Sequence, residues 1–99
     1  MLFLSGQISL TPAGELLKGD VKEQTTQVMS NIKGVLAEAG LTFANIVKTT
    51  IFLSSMDHFS GVNEVYGSYF ESDPPARSTV AVAGLPRGVD VEIEAIALY

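Results

Sequence analysis

A two-layer α+β domain, with two helices packed on one face of a mixed β-sheet, is the fold class predicted by this sequence of 99 residues. Two segments, following Asp20 and Asp57, carry apolar residues at helical intervals. The remaining apolar segments are short, rich in β-branched residues and alternate with period two. Strand and helix signals interleave as strand, helix, strand, helix and then a hairpin, which fits a sheet covered on one side.

Leu2 to Leu10 reads as a strand interrupted by Ser5-Gly6-Gln7, with the glycine at a bulge or a close backbone approach. Thr11-Pro12-Ala13-Gly14 is a turn, and Glu15 to Lys18 a brief return strand. Asp20 and Glu23 have capping-box spacing. Val21, Thr25, Val28, Ile32, Val35, Leu36 and Ala39 then form one stripe, Lys22, Gln27, Asn31, Lys33 and Glu38 a polar back, and Gly40 ends the helix. Asn45 to Ser54 is the longest β-branched and aromatic run and belongs in the middle of the sheet. Asp57 is the expected cap of a second helix with Phe59, Val62, Tyr66, Tyr69 and Phe70 inside, stopped by Asp73-Pro74-Pro75. Arg77 to Ala83 and Asp90 to Tyr99 both alternate, and Gly84 to Val89 between them carries turn residues, so an antiparallel hairpin is expected. That pairing sets Glu94 opposite Thr79 and Glu92 opposite Ala81, and leaves Arg77 with small residues on the uncovered face.

Composition narrows the function. One domain accounts for 99 residues, and 46% hydrophobic against 17% charged residues is more apolar material than a solvated monomer needs, which points to self-association. Eleven acidic and six scattered basic residues give a net charge of -5, a poor match to nucleic acid. The absence of cysteine removes thiol catalysis and disulfides. No apolar run approaches the roughly 18 residues of a membrane span, and a soluble, cytoplasmic protein is the expectation. No nucleotide-binding glycine spacing or metal-ligand cluster is present, and His58, the single histidine, reads as an ordinary helix-start residue. What remains is Arg77 with Glu92 and Glu94. The plain reading is a cross-strand ion pair; the functional one is a guanidinium fork for a small carboxylate with a glutamate that orients water. Pattern alone does not choose between the two glutamates.

These residues resemble the RidA/YjgF family, also called L-PSP endoribonucleases. The resemblance lies in Leu4-Ser5-Gly6-Gln7-Ile8, Gly19-Asp20-Val21, Ile46-Val47-Lys48-Thr49-Thr50, Val62-Asn63 with Tyr66, Pro75-Ala76-Arg77-Ser78, and Val91 to Ala97. It implies a chorismate-mutase-like (bacillus type) fold and a homotrimer with ligand clefts between subunits. It also implies hydrolysis of 2-aminoacrylate or 2-iminobutanoate to a 2-keto acid and ammonia, without cofactor or metal. By this resemblance Arg77 clamps the substrate carboxylate and Glu92 holds the attacking water. Ser5, Gly6, Phe59 and Asn63 line the cleft, and Thr79, where many members have cysteine, offers its backbone. Members usually begin earlier, with a Gly-Pro-Tyr element, so a single domain over residues 1–99 without that segment is expected. The alternatives are RNA cleavage or translation inhibition, as the older family name suggests, and a non-catalytic module that binds small carboxylates or a client protein.

Overall fold

In the computed structural model, which describes residues 1–99, the main elements are β1 (Leu2–Gln7), α1 (Val21–Glu38), β2 (Ile46–Leu53), α2 (Phe59–Gly67), β3 (Ala76–Ala81) and β4 (Val91–Ala97). They form a four-stranded sheet in the order β1-β4-β2-β3, with both helices packed on one face. Strand β4 runs antiparallel to β1 and to β2, while β2 and β3 are parallel and joined through α2. The sheet is therefore mixed and the domain two-layered, as the alternation of elements predicts.

The expected hairpin is not formed. Strand β2 lies between β3 and β4, so Glu94 pairs with Thr50 and Glu92 with Phe52, and Arg77 pairs with Thr49. The turn residues are real: Pro86–Gly88 make a short 3-10 turn, with Arg87 at φ 57° and Gly88 at φ 72°. Yet this connection arches over the end of β2. Val82 donates to the Leu53 carbonyl at 2.9 Å, and Ser54 donates to the Asp90 carbonyl at 3.0 Å. Two neighbouring alternating segments flank the most β-branched strand instead of each other, because β2 needs a hydrogen-bonded partner on both edges.

Helix α1 forms as its sequence dictates. Asp20 accepts a hydrogen bond from the Glu23 amide at 2.9 Å, satisfying one of the free amides of the first turn. At the other end Gly40, at φ 74°, donates to Ala37 and Leu41 donates to Leu36, the paired bonds of a Schellman cap. Val28, Ile32 and Leu36 are buried as expected, and Gln24 and Met29 are buried with them, whereas Val35 is exposed at the margin of the stripe. Strand β1 contains the anticipated irregularity, its register to β4 shifting between Leu4 and Gln7. The return segment is reduced to a single bridge, Leu10 to Leu16.

The second helix differs at both ends. Ser55, not Asp57, accepts from the amide of a 3-10 turn, and that turn, Met56–His58, leads into α2 with no side-chain cap at His58. Helix α2 stops at Gly67, well before the prolines. Phe70 lies beyond the helix, its amide bonded to the Gly67 carbonyl at 3.2 Å, and with Tyr69 it packs on Phe43 at ring distances of 5.8 and 5.3 Å. Val62 and Tyr66 are the buried residues of α2, and they close a core with Met29, Ile51, Leu53, Val91 and Ile93. No helix is long and apolar enough to cross a membrane.

Candidate functional site

The register of the sheet decides what Arg77 faces. It pairs with Thr49, a buried residue of the helix-covered face, so the arginine projects toward α2 instead of the uncovered face. There Arg77 Nη1 donates to Asn63 Oδ1, and its guanidinium carbon lies 5.7 Å from the Phe59 ring centre and 5.2 Å from that of Tyr66. Phe59, Asn63 and Tyr66 share one side of α2 because they are three or four residues apart. Two aromatic rings and one amide oxygen thus hold the guanidinium without neutralising it. The cross-strand ion pair is absent: Lys22 pairs with Glu64, His58 Nε2 lies 3.6 Å from Asp90 Oδ1, and neither contact involves Arg77. The reason is geometric, since Glu92 and Glu94 alternate with the buried Val91, Ile93 and Ala95 and project from the opposite face.

Tyr66 fixes the platform under the arginine. Its hydroxyl and that of Thr49 share a hydrogen bond of 2.7 Å, buried between helix and sheet. Burial raises the phenol above its ordinary value, against smaller opposing effects of the Thr49 bond and the Arg77 charge, so it stays neutral. A cleft of about 470 Å³ opens beside Arg77, walled by Tyr66, Gly67, Phe70, Pro74 and Pro75. By its spacing the sequence places Tyr66 and Phe70 in the core and the prolines at helix termination. Their role as walls depends on α2 ending early, which no residue pattern announced. Thr79 follows Arg77 on the same face of β3, and its buried Oγ1 has no hydrogen-bond partner.

Glu92, Ser5 and Gly6 lie elsewhere. Glu92 is half-buried on the uncovered face, beside the bulge of β1, where a Cβ added to Gly6 would fall 2.5 Å from Glu92 Oε2. Glycine at position 6 is what allows the carboxylate to lie against the backbone, as the sequence pattern suggested. Ser5 is exposed at the same bulge. The seven residues singled out from sequence therefore fall into two groups: Arg77, Phe59, Asn63 and Thr79 at the junction of α2 and β3, and Ser5, Gly6 and Glu92 on the opposite face with β2 between them. A single chain does not bring its Arg77 and Glu92 to one point.

Near Glu92 the uncovered face also exposes apolar side chains. Phe3 is 69% and Val80 43% accessible, with Phe52 and Ile96 half-buried between them. At the mouth of β4, Asp90 is a separate knot. It accepts from Ser54 Oγ at 2.8 Å and Gln24 Nε2 at 3.0 Å, and His58 Nε2 lies 3.6 Å away. No group of three His, Asp or Glu side chains converges as a ligand set for a metal ion.

The fold is that of the endoribonuclease L-PSP family, whose profile matches residues 1–99, and the chain belongs to that family. Among its relatives, Protein DfrA of Myxococcus xanthus is 57% identical over 99 residues, covering 99% of this chain and 76% of that protein. The 2-iminobutanoate/2-iminopropanoate deaminase of Mus musculus is 47% identical over 98 residues, 98% of this chain and 73% of the mouse protein. Among solved structures, E. coli TdcF with bound serine superposes with a TM-score of 0.92 at 40% identity, covering 98% of this chain and 79% of that one.

Proposed function

We propose that this protein is a cofactor-independent deaminase of small 2-imino acids, with Arg77 as carboxylate clamp and Glu92 of a neighbouring copy as the group that positions water. The observation that carries the reading is the state of Arg77: stacked on two rings, hydrogen-bonded to Asn63, unpaired by any carboxylate of its own chain, and open to a cleft. Such a guanidinium is a preorganised bidentate partner for a small organic acid. The name of the mouse relative, a deaminase at 47% identity, supplies the substrate class. In the reaction, a water held by Glu92 attacks C2 of the imine while the carboxylate takes its proton. The proton passes from the carboxylate to nitrogen, and the carboxylate then takes the proton of the new hydroxyl as its oxygen forms C=O and the C–N bond breaks, releasing ammonia and a 2-keto acid. Orientation does most of the work, because a protonated C=N is already electrophilic.

A second copy is integral to this proposal, because Arg77 and Glu92 diverge within one chain. The exposed Phe3 and Val80 support burial of the sheet's open face against other copies, as in a homotrimer with clefts at the subunit seams. Ribonuclease action, which the family description names, finds little support in a net charge of -5 with scattered cations. The test is a coupled assay in which a threonine or serine dehydratase releases the enamine in the presence of semicarbazide. The protein is expected to suppress semicarbazone formation; absence of suppression removes the proposal.

Gly6→Ala probes the geometry at Glu92. The new methyl would displace the carboxylate, and a shift of about 1 Å in a positioned group lowers turnover on the order of a hundredfold. Folding stability should change little, because the half-buried Glu92 side chain can move. A thermal melt together with turnover in the coupled assay checks both halves, and unchanged turnover would show that Glu92 does not act from this position.

A further inference from the structure

We propose that a second pocket, which shares only Phe70 with the cleft beside Arg77, is a binding site for a small organic ammonium ion with a hydrocarbon body. The proposal is independent of the deaminase reading. The pocket measures about 250 Å³ and is walled by Phe43, Ile46, Tyr69 and Phe70, with Glu71 and Asp73 at its opening. Local sequence builds it. Thr42 caps a 3-10 turn at Phe43–Asn45, and once α2 stops at Gly67 the chain packs Tyr69 and Phe70 on Phe43 before Pro74 and Pro75 lead into β3. A cavity of about 150 Å³ is enough to seat benzene, so an aromatic ring or a branched alkyl group has room here.

The aromatic walls are not sealed on one another. Phe43 meets Tyr69 at 56° and Phe70 at 75°, so the rings surround a space instead of closing as a stack. The negative face of such a ring attracts a cation. Glu71 and Asp73 decide the sign of the ligand. Both are exposed, neither is paired with a basic side chain, and the lining contains no lysine, arginine or histidine. An organic anion is repelled, and a neutral hydrocarbon leaves both charges unused. A hard metal ion needs about six oxygen ligands, which this lining does not supply. An ammonium group on an apolar body satisfies both halves of the pocket.

The test is a titration of the whole protein with phenethylammonium, read by calorimetry and by NMR, beside 2-phenylethanol as its uncharged counterpart. Wild type is expected to bind the amine at a single site per chain with a Kd of about 1 mM or tighter, moving the signals of Phe43 and Ala44 and leaving those of Asn63 and Gly67 in place. The alcohol should bind about tenfold more weakly. The double variant Glu71→Gln, Asp73→Asn changes exposed side chains and should leave the melting temperature unchanged. It should lose about threefold to tenfold in affinity for the amine and none for the alcohol. Raising sodium chloride from about 20 mM to about 500 mM should weaken binding of the amine by wild type and leave the double variant nearly indifferent. Phe43→Leu, which keeps an apolar wall but removes a ring, should weaken the amine more than the alcohol. Equal affinity for amine and alcohol, an unchanged double variant, or signals that move at Asn63 and Gly67 but not at Phe43 would overturn the proposal. So would the absence of binding at about 20 mM amine. Each of these results leaves the deaminase reading untouched.

Discussion

Arg77→Ala is expected to abolish useful binding of small organic acids while leaving the fold in place. The guanidinium contributes no ion pair and only one side-chain hydrogen bond, to Asn63, so its removal disturbs little of the core. If the cleft is closed by a second copy as proposed, the loss of a bidentate, charge-assisted pair corresponds to about 2–5 kcal/mol, a weakening of roughly 30-fold to several thousandfold. Because the carboxylate is held alike before and during reaction, the change should fall mainly on KM. Arg77→Lys retains the charge but neither the planar fork nor the stacking on Phe59 and Tyr66, and should recover only a minor part. Calorimetry with a 2-oxo acid, beside semicarbazone suppression, reads both effects. Undiminished binding by Arg77→Ala would refute the clamp.

Glu92→Gln is expected to have the complementary signature. The substitution preserves volume and removes only the capacity to take a proton, so turnover should fall about 10²- to 10⁴-fold with oxo-acid binding nearly unchanged. The two variants together test where the site lies. If each site takes Arg77 from one chain and Glu92 from another, co-refolding equal amounts of the two inactive variants restores about a quarter of the sites. If both groups act within one chain, mixing restores none. Recovered activity in the mixture is the expected result, because the sheet register sends the two side chains to opposite faces.

The sequence made the layers and most elements legible, since helical and period-two spacing survive in Val28, Ile32 and Leu36 and in Val91, Ile93 and Ala95. The caps at Asp20 and Gly40 were local and therefore readable. Strand neighbours were not. Whether β3 pairs with β4 or with β2 depends on which edge of β2 is vacant, a competition among distant segments that leaves no mark in either strand. The same holds for the candidate site. Arg77 stands out as the lone charge of an alternating strand, and Asn63 and Phe59 through the family resemblance, but which face they occupy follows from pairing with Thr49, and the cleft walls follow from the early end of α2 at Gly67.

The position of β4 also bears on how the chain reaches this structure during synthesis. The last of the four strands to leave the ribosome lies between the first and the second, and it supplies Val91, Ile93, Ala95 and Ala97 to the interior. Until those residues emerge, β1 has no partner and α1 has nothing complete to rest on. At about 5–20 residues per second the nascent polypeptide spends several seconds in that unfinished condition, its apolar segments open to chaperones.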